Sequence, residues 1–141
     1  MSQKEQIKTL ELTAKEIRRL IIQMLARAGS GHPGGSLSAT DLITCLYFGK
    51  YPDGTPIFKY DPKEPNSMQA DRFHLSKGHC CPLLYAVLVK AGYFSVDELW
   101  NLRKFGSLLQ GHPDRRSSSR SPGRPAKAYR SMSPAGQMSA W

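Results

Sequence analysis

Three of the chain's four histidines directly follow a glycine, as Gly31-His32, Gly78-His79 and Gly111-His112. An imidazole titrates near neutral pH, donates and accepts hydrogen bonds, and ligates metals. Glycine permits close backbone approach and positive φ, and proline fixes its own φ. The stretch Ser30-Gly31-His32-Pro33-Gly34-Gly35 is therefore poor helix, and predicts a tight loop carrying a ring to the mouth of a pocket. Each Gly-His pair taken singly also reads as an ordinary helix stop and turn. If the three turns converge, two chemistries are open. One is zinc, but the separations match no short ligand motif, and a catalytic zinc needs an open position and oriented supports. The other is recognition of phosphate or of a developing oxyanion. His79 opens an apolar helix whose free amides and dipole favour an anion, with Lys77 beside it. His112 between Gly and Pro reads as a turn, and His74 between Phe73 and Leu75 reads as structural.

The elements that must position these turns follow from periodicity. Apolar residues at 10, 14, 17, 20, 21, 24, 25 and 28 predict a helix with one buried face, stopped by Gly29 and Gly31. Ser38 is placed to cap a second helix through Phe48, with Leu42, Ile43, Leu46 and Tyr47 inward. Residues 50–70 lack a period and predict a surface loop. Residues 71–76 predict a short strand. Cys80 to Ala91 reads as an apolar helix with Pro82 in its first turn. Ser95 and Glu98 read as a capping box for a short helix through Leu102.

Composition bounds the class. The chain has 141 residues and 40% apolar content, enough for one small domain or part of a larger one. No run approaches the roughly 18 apolar residues of a membrane span. The polar residues 1–8 lack a signal peptide's apolar core, so a cytoplasmic location is expected. Cys45, Cys80 and Cys81 fit neither a disulfide framework nor a zinc spacing, and read as small buried residues. The net charge of +9 is uneven: residues 1–114 balance at +3, and residues 115–141 carry six cations and no acid. Basicity confined to a tail argues against a nucleic-acid-binding domain.

Ser30 to Ser38, then Asp71-Arg72-Phe73-His74-Leu75-Ser76-Lys77-Gly78-His79, then Gly111-His112-Pro113 resemble the N-terminal, thiamine diphosphate-binding region of transketolases in order and separation. The resemblance covers about residues 10–114 and is strongest to the N-terminal subunit of split bacterial transketolases. It implies an α/β thiamine diphosphate-binding fold, of which this chain holds a predominantly helical N-terminal part. It implies transfer of a two-carbon ketol unit between sugar phosphates, as in the pentose phosphate pathway, with thiamine diphosphate and a divalent metal such as Mg2+. By motif match, His32 and His112 are the catalytic residues, and with Ser30 they bind substrate. His79 and Gly78 bind the cofactor. The metal ligands of the family are absent from this chain. The implied partners are a C-terminal transketolase subunit, which the split enzymes need, and further copies in a homo-oligomer.

The match to the family motifs ends near Asp114. Residues 115–141 are Ser-, Arg- and Pro-rich without period, and predict a disordered, non-homologous tail. The expectation is an N-terminal subunit cut short, with an out-of-frame or aberrant ending, and inactive alone. The alternative is a non-catalytic remnant or a basic-tailed interaction fragment. Tyr129 and Trp141 are too isolated to make a stacking platform for nucleic acid.

Overall fold

The computed structural model describes residues 2–65 and 67–113. The expected tail at 115–141 lies outside them. The elements are α1 (Gln3–Ala28), α2 (Pro33–Ser38), α3 (Thr40–Phe48), a 3₁₀ turn Gly78–Cys80, α4 (Cys81–Lys90) and a 3₁₀ helix Val96–Asn101. Among the described residues there is no β-strand, only an isolated antiparallel bridge between Lys50 and Pro56. None of their helices is long and apolar enough to cross a membrane.

Helix α1 starts earlier than its apolar stripe because Ser2 and Glu5 form a reciprocal capping box. It ends at Gly29, in the left-handed conformation that closes helices. Ala14, Ile17, Ile21, Met24 and Leu25 form its buried face. Helix α4 is different: every residue from Cys81 to Leu88 is buried. A helix apolar all round needs cover all round. Helices α1, α2 and α3 and the Val96–Asn101 helix all pack on it. Two exposed ion pairs join surface positions, Arg18 of α1 to Asp41 of α3 and Lys90 of α4 to Glu16 of α1. Arg18 donates to both Asp41 oxygens and holds that carboxyl below its usual range. Any stability it contributes is present above the unfolded-state pKa and fades as pH falls through the lower folded one.

Five expectations need correction. Pro33-Gly34-Gly35 is not loop: proline sits in the first turn of α2, where its missing N–H costs nothing, and six residues wind before the break at Ala39. Ser38 accordingly ends α2, donating to the Gly35 carbonyl, and Ala39 caps α3. That break sets the phase of α3: Thr40, Ile43, Thr44 and Tyr47 face inward, and Leu42 is 69% exposed. Cys45 shares the outer face and is exposed, whereas Cys80 and Cys81 are buried. Residues 71–76 form no strand. A strand needs a paired neighbour for its amides. Here Asp71 instead exchanges hydrogen bonds with Lys59, and Phe73 and Leu75 are half-buried against the core. The short helix after Ser95 is present as 3₁₀, with the Ser95 hydroxyl accepting from Asp97 N–H.

The long connection between α3 and α4 is held by rings. Tyr47 lies 4.7 Å from Phe58, 5.6 Å from Tyr60 and, edge-on, 5.8 Å from Phe73, and Tyr60 stacks on Tyr93 at 6.1 Å. Such pairs add about 0.5–1.5 kcal/mol each beyond burial. The Tyr47 hydroxyl is buried without a hydrogen-bond partner among the described residues, as are those of Ser36 and Thr44.

Two stability measurements test this packing. Leu88→Ala, which empties a fully buried site on α4, is expected to cost about 2–5 kcal/mol in denaturant unfolding. Tyr47→Phe keeps the rings and deletes an unpartnered hydroxyl, so stability is expected to stay level or rise. A clear loss would mean that the hydroxyl has a partner.

Candidate functional site

The first Gly-His turn is set by the end of α1. Gly31 has φ 123, and a Cβ there would lie 2.5 Å from Leu25 Cδ2. The positive φ favours glycine, and a side chain there would also force Leu25 to move. The chain then extends through His32, which caps α2 with its backbone and makes no side-chain capping bond. The ring of His32 is exposed.

The second turn reaches the first through Gly35. A Cβ on Gly35 would lie 2.7 Å from Cys80 Sγ and 3.5 Å from His79 Nε2. The imidazole of His79 thus lies along the α2 backbone. The third turn reaches the second in the same manner: a Cβ on Gly78 would stand 2.8 Å from His112 Cδ2. From behind, α4 holds the third turn. The Tyr85 hydroxyl donates to the Gln110 carbonyl at 2.8 Å, and the Cys81 thiol donates to the Gly111 carbonyl at 2.9 Å. Arg103 reaches from the segment before the third turn to the Ser30 hydroxyl, at 2.8 Å. The three Gly-His turns therefore meet in one region, although they are far apart in sequence. His74 is exposed, in the segment ahead of the second turn.

The segments of the three turns carry Arg72, Lys77, Arg103 and Lys104 against a single carboxylate, Asp71 at the head of the second motif. Such a wall favours an anion. Together with exposed imidazoles on backbone that carries no Cβ, it fits a diphosphate. Among the described residues, no three His, Cys, Asp or Glu side chains gather to hold a metal ion. Burial pushes the Cys81 thiol up to about 12. It is thus a hydrogen-bond donor rather than a thiolate nucleophile. Cys81, Tyr85 and Arg103 escape a reading by motif, since each acts through a backbone or hydroxyl contact that only the folded chain creates.

Residues 9–121 match the family model described as transketolase, thiamine diphosphate binding domain. The chain belongs to the transketolase family. It is 38% identical over 108 residues to one subunit of the apulose-4-phosphate transketolase of Phocaeicola vulgatus, a match covering 77% of this chain and 36% of that protein. It is 40% identical over 109 residues to human transketolase, across 77% of this chain and 16% of that one. A crystal structure of Pichia stipitis transketolase in complex with sedoheptulose 7-phosphate superposes with a TM-score of 0.69 at 33% identity, over 77% of this chain and 15% of the other. The chain thus spans about a third of the Phocaeicola vulgatus relative and about a sixth of the human one. The resemblance read from the motifs therefore holds, including its closeness to a split transketolase.

Two experiments check the geometry. Gly35→Ala drives a methyl into Cys80 and toward His79, and is expected to cost about 1–3 kcal/mol and to shift the His79 ring resonances. Alkylation of the native chain at pH 8 is expected to label exposed Cys45 well before Cys81, read by peptide mass mapping.

Proposed function

We propose that the three turns form one wall of a transketolase-type site, and that the protein takes part in transfer of a two-carbon ketol unit between sugar phosphates. The single observation that carries this reading is the contact chain from Gly35 to His79 and from Gly78 to His112, on segments where cations outnumber carboxylates. Thiamine diphosphate, when bound, supplies the nucleophilic carbon of the reaction. His79 and the Gly78 backbone hold its diphosphate by charge-assisted hydrogen bonds, supported by Lys77. His32 and His112, with Ser30, donate to oxygens of the sugar and stabilise the negative charge that develops there. A divalent metal bound with the diphosphate takes its ligands from outside residues 2–113.

The remaining parts of the reading follow from the same family. The helices cover one side of a parallel α/β sheet whose strands come from further polypeptide. A C-terminal partner chain completes the site, a reading supported by the Phocaeicola vulgatus relative, which is itself named as one subunit of its enzyme. Sugar phosphates as substrates are supported by the apulose 4-phosphate in that name and by the ligand of the Pichia stipitis complex. Homo-oligomerisation would cover exposed apolar side chains such as Leu12, Ile22 and Leu42.

Titration calorimetry with thiamine diphosphate and Mg2+ tests the reading. Saturable binding is expected, weakened roughly tenfold or more by His79→Ala through loss of one charge-assisted hydrogen bond. Absence of any binding would leave the non-catalytic remnant as the better account. The chain alone is expected to show no ketol transfer, and turnover by the purified chain would contradict the need for a partner chain.

A further inference from the structure

We propose that Arg103 is a positioning residue that fastens the first Gly-His turn to the third. Three features of this arginine point the same way. Its backbone is left-handed, at φ 63, and among the described residues it is the one non-glycine with positive φ. An L-residue adopts that conformation at a cost, and glycine would be the ordinary occupant. Its N–H donates to the Leu109 carbonyl at 2.8 Å, which folds residues 103–109 back and delivers Gln110 and Gly111 to the site. Its guanidinium then spans the two turns. Nη1 donates to the Ser30 hydroxyl at 2.8 Å. A Cβ on Gly31 would lie 3.5 Å from Nη1, and one on Gly111 would lie 2.9 Å from Nε. The fork thus lies in contact with Gly31 and occupies the space that a side chain at 111 would fill.

The arrangement explains why a costly backbone carries a long cationic side chain. The planar, five-donor group reaches one turn while lying flat on the other. The opposite side of the third turn is already tied by Cys81 and Tyr85. The Gln110–Gly111 backbone is therefore tied to α4 by Cys81 and Tyr85 and lies against an arginine that also bonds Ser30. The role at the site rests on the cofactor reading above, whereas the link between the turns rests on geometry alone.

Nuclear magnetic resonance of the 15N-labelled full chain tests the link. Arg103→Gly is the informative variant, because glycine accepts φ 63 and only the side chain is lost. The amide resonances of Ser30, Gly31 and His32 are expected to move together with those of Gly111 and His112. The melting temperature should hold or rise, while thiamine diphosphate affinity falls roughly tenfold. Ser30→Ala removes the acceptor on an exposed turn and is expected to move the Gly111 and His112 amides. Arg103→Lys should restore part of the Ser30 shift. Shifts confined to residues 101–110 in Arg103→Gly, with Gly111 and His112 unmoved in Ser30→Ala, would overturn the proposal. If the turns prove coupled but the unaltered chain binds no thiamine diphosphate, the link stands and the cofactor reading fails. If the unaltered chain binds the cofactor and the turns prove uncoupled, the reverse holds.

Discussion

Close approach at Gly35 and Gly78, tighter than a larger residue would allow without movement, is the constraint on which the candidate site depends. A Cβ on Gly35 would meet the Cys80 thiol, with the His79 ring in contact beyond it, and a Cβ on Gly78 would meet the His112 ring. Repulsion rises steeply inside about 3 Å, so a larger residue at either position would force Cys80 or the His112 ring to move. Three turns from distant parts of the chain become neighbours through two absent methyl groups.

The helices make those contacts durable. Because α4 is apolar on every side, it is stable only when surrounded. The cover comes from α1, α2, α3 and the Val96–Asn101 helix. The same helix presents Cys81 and Tyr85 to the carbonyls of the third turn. Core and site are therefore joined through single residues: Cys81 is buried among the core side chains and donates into the site. The ring cluster around Tyr47 does comparable work for Phe58, Tyr60 and Phe73, which lie outside the helices.

Charge and acidity divide along the same lines. The segments of the turns carry more arginine and lysine than carboxylate. Ion pairs occur elsewhere, at Arg18–Asp41 and Lys90–Glu16 on the helix surfaces. Arg103 serves the link between turns, while the paired charges serve the seams between helices. Exposed pairs of that kind contribute little to stability. Burial of α4 and the ring cluster carries the fold.

Much of this protein was legible before its structure. The stripe from Leu10 to Ala28, the wholly apolar run after Cys80 and the three Gly-His turns depend on residue type and local spacing. The family followed from the motifs alone. What failed was local phase. The winding of Pro33–Ser38, the break at Ala39 and the outward turn of Leu42 and Cys45 depend on how α2 meets α4. The strand read at 71–76 failed because pairing needs a neighbour that no local pattern supplies. The meeting of His79 with Gly35, and the reach of Arg103 to Ser30, were decided only by tertiary structure. Periodicity encodes which face of an element is buried, but the distance between two turns is set by the packed helices between them.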